Sequence, residues 1–357
     1  MLRIGLALLA LFGLAVPQAY AQNATPLKPL RFGWQSSTPV ITFWAGFELK
    51  SFEAQGLKVN LTSFNDNAPE LEALVARQLD LAAIAPAPTL QGASFGAPVK
   101  IISAVEYAFT DKSGNSWNAV NLLARKDTGI QSLKDLVGKR VAVFGFSSNW
   151  YLALLDRLRE EKIDPKSIKF LPMPYTQMEG ALVHNEVDAA VMTAIGAYHV
   201  AQRIPTNLLM NSSQITKIAI DMSQVIVGRA DWLKDHEDEA VRFLMGMLVT
   251  QKFIADDVAK GGAEIRAITQ KTLKYDNETT EAFYKIRLQA SGHERDFLNT
   301  LDLPKATFVT YGKMLTESGQ LRGKPATTYE QLIDTSYLRK AYERLGRKWD
   351  DSKVVDR

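Results

Sequence analysis

Short apolar segments alternate with amphipathic ones twice along this chain, and no other feature restricts its fold as much. Residues 30–35 (LRFGWQ) predict a strand, 43–55 a helix stopped by Gly56, and 57–64 (LKVNLTSF) a half-buried strand alternating with period 2. A helix over 69–78 carries Glu70 and Glu72 in its first turn, where the helix dipole favours acids, and leads into strands over 80–85 and 99–105. The same order restarts downstream, with a strand at 121–124, a short helix at 133–137, a buried strand at 140–144 and a helix over 148–161. Strands at 168–172 and 188–193 then flank a helix over 177–183. Strands alternating with helices of this length need crossover connections, so each block predicts a largely parallel sheet flanked by helices.

The two blocks share a fingerprint. Ala73-Leu-Val-Ala-Arg-Gln-Leu-Asp80-Leu-Ala-Ala-Ile and Ala181-Leu-Val-His-Asn-Glu-Val-Asp188-Ala-Ala-Val-Met lie 108 residues apart. Each joins a helix end, a polar turn, an Asp and a small-residue strand. From 239 onward the pattern is helical, over 239–255, 262–272, 278–289, 305–318 and 337–345, and 350–357 reads as a frayed end. A length of 357 residues suits two domains better than one core. The expected fold class is α/β in two lobes.

The first 21 residues stand apart. Arg3 precedes a 13-residue apolar run at 4–16, and Ala19-Tyr-Ala21 then supplies the small-x-small pattern of a signal-peptidase site. The run is shorter than the roughly 20 residues that span a bilayer. The expectation is a signal peptide over 1–21 and a mature chain from Gln22 that acts in the periplasm. Loss of Arg3 takes the net charge from +3 to +2.

Composition and motifs exclude several chemistries. With 42 basic and 39 acidic side chains, the charge balance gives no case for nucleic acid. The absence of cysteine removes disulfides, thiol nucleophiles, iron–sulfur clusters, cysteine-ligated zinc and a lipid-modified N-terminal cysteine. His236 and His293 are each followed by Glu but lack the second His of a zinc helix, and neither GxxxxGK nor GxGxxG occurs. Gly145-Phe-Ser147-Ser-Asn149 sits at a strand-to-helix junction like the nucleophile elbow of a hydrolase, yet has Asn where the elbow needs Gly. No catalytic residue, metal or cofactor is expected.

What remains is a set of polar and aromatic residues after nearly every strand. Gln35, Ser36, Ser37 and Thr38 follow the first, Asn65 the second, Pro86 and Ala87 the third, and Glu106 and Tyr107 the fourth. Downstream, Phe146, Ser147, Ser148, Asn149 and Trp150 open a helix, Tyr175 follows Pro174, and Thr193 and Tyr198 follow the last strand. Open α/β sheets bind ligands in the crevice outside these strand ends, so the set predicts a cleft between the lobes.

The order and spacing of several segments carry a resemblance. They are Phe32-Gly-Trp-Gln35, Phe52-Glu-Ala-Gln-Gly-Leu-Lys-Val59, Glu72-Ala-Leu-Val-Ala-Arg-Gln-Leu-Asp80 and Ala85-Pro-Ala-Pro88 in the first block. In the second they are Ser132-Leu-Lys-Asp-Leu-Val-Gly-Lys-Arg-Val-Ala142, Ser147-Ser-Asn149 and Asp188-Ala-Ala-Val191, with Val225-Ile-Val-Gly-Arg-Ala-Asp-Trp-Leu233 as the return strand. Together they resemble the periplasmic substrate-binding proteins of ABC importers, in the nitrate/sulfonate/taurine family, over about residues 30–248.

The resemblance implies a type II-like fold with lobe 1 over 22–120, lobe 2 over 121–221, and a return to lobe 1 with C-terminal helices over 222–357. The lobes would be joined by two hinge strands near 117–123 and 220–225, which brings Asp221 into the expected site. It also implies closure over one small anion, a permease and its ATPase at the inner membrane as partners, and a monomeric receptor. The anion would rest on the N-terminus of the helix opening at Ser148, where backbone N–H groups hold negative charge. No Arg or Lys sits at a strand end, whereas Trp34, Trp44, Tyr107, Phe146, Trp150, Tyr175 and Tyr198 fall near the cleft. That balance favours an aromatic carboxylate or an alkyl or aryl sulfonate over nitrate. A periplasmic sensor using the same cleft, or an exported hydrolase using Ser147, are the alternatives.

Overall fold

The computed structural model describes residues 26–35, 40–110, 116–117, 120–218, 220–288 and 301–349. The predicted alternation yields two sheets. The first orders its strands β2 (Leu57–Ser63), β1 (Lys28–Trp34), β3 (Leu81–Ile84), β11 (Ile220–Arg229), β4 (Val99–Thr110) and β5 (Ser116–Trp117). The second orders them β10 (Thr206–Asn211), β6 (Val120–Arg125), β9 (Ala189–Thr193), β7 (Arg140–Val143) and β8 (Lys169–Pro172). β1, β2 and β3 run parallel, as do β7, β8 and β9, and β11 lies antiparallel between β3 and β4. The chain leaves the first sheet after β5 and returns to it with β11, so two crossings join the sheets.

Helices follow the strands as crossover units require. α1 (Ile41–Glu48), α2 (Asn67–Val75) and α3 (Pro86–Ser94) belong to the first sheet; α4 (Asn149–Glu160), α5 (Tyr175–Val183) and α6 (Ala194–Ala201) belong to the second. The helical tail supplies α7 (Glu237–Ala259), α8 (Ala263–Leu273), α9 (Asn277–Phe283), α10 (Lys305–Glu317) and α11 (Ser336–Arg344), with a π-helical turn at Tyr284–Leu288. α7 packs on α1 and α11 on α7, while α10 packs on both α3 and α4. No described helix is long and apolar enough to cross a membrane.

Burial follows the periodicities. β3 and β9 are buried along their whole length, as small-residue central strands covered on both faces should be. One apolar cluster joins α3, α4 and α10 through Leu90, Leu154 and Phe308; a second packs Phe32, Phe43, Phe52 and Phe243 between β1, α1 and α7. A third brings Ile195 of α6 against Ile41 of α1, Ile265 of α8 and Phe283 of α9.

The internal fingerprint has a common geometry. Asp80 accepts the backbone N–H and guanidinium of Arg31, and Asp188 does the same for Arg140. The reverse backbone bonds, Asp80 N to Arg31 O and Asp188 N to Arg140 O, are both 2.9 Å. Arg77 and Asn185, at equivalent places in the preceding turns, both adopt left-handed backbone (φ 64° and 59°). The two blocks are thus one structural unit used twice.

Three local expectations change. The helix expected over 43–55 ends at Glu48, because Lys50 turns left-handed (φ 54°). Ser51 N then bonds Gly46 O and Lys50 N bonds Phe47 O, a pairing that closes a helix without waiting for Gly56. The Pro-Ala-Pro segment starts a helix: prolines in the first turn lose only N–H groups that have no intrahelical partner. The helix expected over 278–289 gives way to π geometry at Tyr284.

Candidate functional site

The carboxyl ends of β1–β3 and β7–β9 face the junction between the sheets, and α1 to α6 begin there. Their N-termini therefore bring partial positive charge to one place. Local caps use part of this capacity. Ser148 Oγ accepts Tyr151 N of α4 at 3.2 Å, Thr193 Oγ1 accepts Gly196 N of α6 at 3.2 Å, and Asp66 accepts Asn67 N of α2. At α3, Pro86 and Pro88 have no N–H to offer, which leaves Ala87 as the donor of that turn.

That donor is taken from across the junction. Ala87 N donates to Asn149 Oδ1 at 2.8 Å, and Asn149 Nδ2 donates to Met222 O on β11 at 3.2 Å. Beside it, Ser147 Oγ donates to Asp66 Oδ1 at 2.7 Å. Gly145 permits this approach, since a Cβ there would stand 2.8 Å from the Asp66 carboxylate. On the other side, Tyr198 of α6 donates to Glu278 of α9 at 2.8 Å.

Behind these contacts lie buried polar groups. Gln35 Nε2 donates to Asn67 Oδ1 at 2.8 Å and to Glu70 Oε2 at 3.0 Å, and Asn67 Oδ1 also accepts Ala85 N. Glu70 is fully buried, and burial pushes its carboxyl up to about 8 against the opposing bond from Gln35. Burial likewise pushes Asp221 up to about 7, although Tyr311 of α10 donates its hydroxyl to that carboxyl. Glu106 of β4 and Arg287 of the π-helical turn form an ion pair with both side chains buried, and Glu106 Oε1 accepts Thr42 N at the start of α1. Among the described residues no group of three or more His, Cys, Asp or Glu is placed to hold a metal ion.

The residues singled out in the sequence divide into groups. Gln35, Asn149, Ser147, Ser148, Thr193, Glu106 and Tyr198 stand at the junction with the partners given above. Ser36, Ser37 and Thr38 lie outside the described residues. Asn65 is exposed, and Phe146 is half exposed beside Tyr151. Pro86 and Ala87 bring no spare donor, for the reason stated above. Asp221 is enclosed with Tyr311, away from any free face.

Most of the expected aromatic wall is core. Tyr107 is 1% exposed and donates to Asp302 O, Tyr175 stacks on Phe144, and Trp150 is buried in the same cluster. Trp34 packs edge-on against Trp44 with ring centroids 4.8 Å apart. These rings, at strand ends and in first helical turns, complete the core of each sheet.

Glu70, Gln224 and Arg287 stand at the junction and were not among the expected site residues. Asp66 carried the N-cap signal of the helix after β2. The helical pattern over 278–289 gave no sign that Arg287 would reach β4. Ser147, where a hydrolase would carry its nucleophile, donates to a carboxylate rather than to an imidazole.

Comparison with known proteins agrees with this architecture. A family profile described as NMT1/THI5 like matches residues 41–257. A protein of Bacillus subtilis (strain 168) named for binding aliphatic sulfonates is 25% identical over 265 residues, which cover 73% of this chain and 76% of the relative. Among solved structures, the alkanesulfonate-binding protein SsuA of Xanthomonas axonopodis pv. citri, bound to MOPS, superposes with a TM-score of 0.67 at 14% identity, covering 87% of this chain and 100% of the other. The periplasmic nitrate-binding protein NrtA of Synechocystis PCC 6803 also gives 0.67, at 15% identity over 92% of this chain and 91% of the other.

Proposed function

The chain belongs to the NMT1/THI5-like family and has the fold of the substrate-binding proteins of ABC importers, and from that premise we propose a periplasmic receptor for a small organic anion. The ligand class is an alkyl or aryl sulfonate or an aromatic carboxylate, which the receptor hands to a membrane permease with its ATPase. Lobe 1 takes residues 22–120 and 222–357, and lobe 2 takes 121–221.

The observation that supports this reading is the arrangement at α4 and α6. Ser148 and Thr193 each cap one N–H of the first turn, Tyr151 N and Gly196 N. The N–H groups of Asn149 and Trp150, and of Ala194 and Ile195, precede these in their first turns. Donors fixed on a helix N-terminus hold an anion without a cationic side chain, and Gln35, Ser147 and Tyr198 stand close by on the same junction.

Closure then works as a population shift. Asp66–Ser147 and Ala87–Asn149 bond the lobes when they meet, and a ligand touching both lobes adds the differential affinity that favours the closed form. Opening exchanges those bonds for water and frees the ligand toward the permease.

A thermal-shift panel of alkyl and aryl sulfonates, aromatic carboxylates, nitrate and pyrimidines tests the reading. A ligand at 100 times its Kd adds about 2.7 kcal/mol to the folded state. A shift of several degrees confined to the sulfonates or aromatic carboxylates is the expected result. A response only to nitrate or pyrimidines, or no response from protein that mass spectrometry finds ligand-free, overturns the ligand class.

A further inference from the structure

Gln224 lies on β11, where that strand enters the first sheet beside the junction. It is 2% exposed, and both polar atoms of its side-chain amide, Oε1 and Nε2, have no hydrogen-bond partner. An unpaired buried amide is costly and rare, so its retention calls for a reason. The register around it is irregular, with shifts on both sides, and the hydroxyl of the intervening Ser223 is also buried without a partner. Bulges of this kind re-aim side chains next to functional sites.

Gln224 pairs in register with Glu106 on the antiparallel strand β4, and such partners project from the same face. That face holds the Glu106–Arg287 ion pair, whose side chains are 6% and 7% exposed, and the Thr42 N–H of α1. Arg287 Nε is buried without a partner, and its guanidinium stands 5.5 Å from the Phe283 ring centroid. The result is a charge-balanced buried pair, next to an amide with its donor and acceptor both unspent.

We propose that Gln224, with the Glu106–Arg287 pair behind it, is a specificity-determining subsite that reads a neutral amide-type group on the ligand: a carboxamide, ureide or lactam edge. The proposal rests on the anion-receptor reading and names a second feature of the same ligand. The Glu106–Arg287 pair already cancels its own charge, so a further ion of either sign would bring net charge into a buried place. A neutral group that donates and accepts side by side matches the two open positions of a glutamine amide. The acidic group of the ligand stays with the helix N-termini of the second sheet, and the amide edge reaches the hinge strand.

Titration calorimetry with benzenesulfonate and 4-carbamoylbenzenesulfonate, on the parent and on Gln224→Leu, tests the assignment. The parent is expected to prefer the carbamoyl compound at least tenfold. Gln224→Leu is expected to bind both alike, with benzenesulfonate within about twofold of the parent, and to have an unchanged or higher Tm without ligand because an orphan amide has been removed. Equal affinities in the parent, a preference that survives in Gln224→Leu, or a lower Tm in that folded variant would each overturn the subsite while leaving the anion receptor intact. Silence of the folded parent toward both sulfonates, and toward the wider panel above, overturns the receptor reading and the subsite with it. If Gln224→Leu does not fold, Gln224→Met serves the same comparison.

Discussion

Asn149 accepts the backbone N–H of Ala87 at 2.8 Å, and the two residues stand on helices that flank opposite sheets. The contact exists because two prolines strip the first turn of α3 of every other donor, which leaves one N–H for one acceptor. Its buried position makes Asn149 a bond between lobes as well as the first residue of α4.

Asn149→Ala leaves the Ala87 N–H without its acceptor and takes one donor from the Met222 carbonyl. The expected loss is about 1–3 kcal/mol of stability, the usual consequence of orphaned buried groups, read as a Tm lowered by several degrees. Small-angle scattering should also find the ligand-free variant more extended. An unchanged Tm and radius of gyration would show that the bond holds nothing together.

Ser147→Ala removes the hydroxyl that donates to Asp66. Affinity for a ligand found in the panel should fall about tenfold or more, since a hydrogen bond to a carboxylate contributes about 1.5–3 kcal/mol to the closed form. The parent should show no esterase turnover against activated esters. Turnover that disappears in Ser147→Ala would instead identify a hydrolase.

Stability should fall as pH rises from about 4 toward 8. Glu70 and Asp221 have ordinary values of 4.5 and 3.8, raised in the fold to about 8 and about 7 by burial. Between those limits the folded chain keeps protons that the unfolded chain has released, so their stabilising effect is complete below the unfolded values and is lost through the folded ones. Each group contributes a slope approaching 1.4 kcal/mol per pH unit at most. Glu70→Gln, which mimics the protonated acid, should flatten part of the decline in Tm, and an unaltered profile would remove Glu70 as its source.

Asp188→Ala takes away the acceptor for the Arg140 N–H and its guanidinium. Denaturant unfolding should report a loss of about 1–3 kcal/mol, and the equivalent Asp80→Ala should lose a similar amount because its contacts are the same. Ligand affinity of the folded variants should stay within about twofold of the parent, since both Asp residues precede their strands at the ends away from the junction.

The alternation of periods was enough to read two sheets with helices between their strands, because β3 and β9 are short runs of small apolar residues followed by helix starts. The repeat was legible for a similar reason: Asp80 and Asp188 each follow a helix end and a polar turn and precede a small-residue strand, an order that survives in the letters. Ser147 and Asn149 were found because they flank Ser148, a cap that local sequence signals. The burial of the aromatics was not legible, since nothing in a strand-end Tyr or Trp distinguishes a ring that closes the core from one that lines a cleft. Arg287 was missed because its pairing with Glu106 of β4 spans 181 residues, a contact that no local pattern encodes.

The two Arg–Asp staples lie at the amino ends of β3 and β9, and the bonds between lobes lie at the carboxyl ends. Amide exchange should therefore separate into two regimes. Protons on β3 and β9 would report only rare global unfolding, while the N–H of Ala87 would exchange on the far faster rhythm of the mouth opening. A molecule arranged this way can cycle through many captures without ever loosening the two bodies that carry them out.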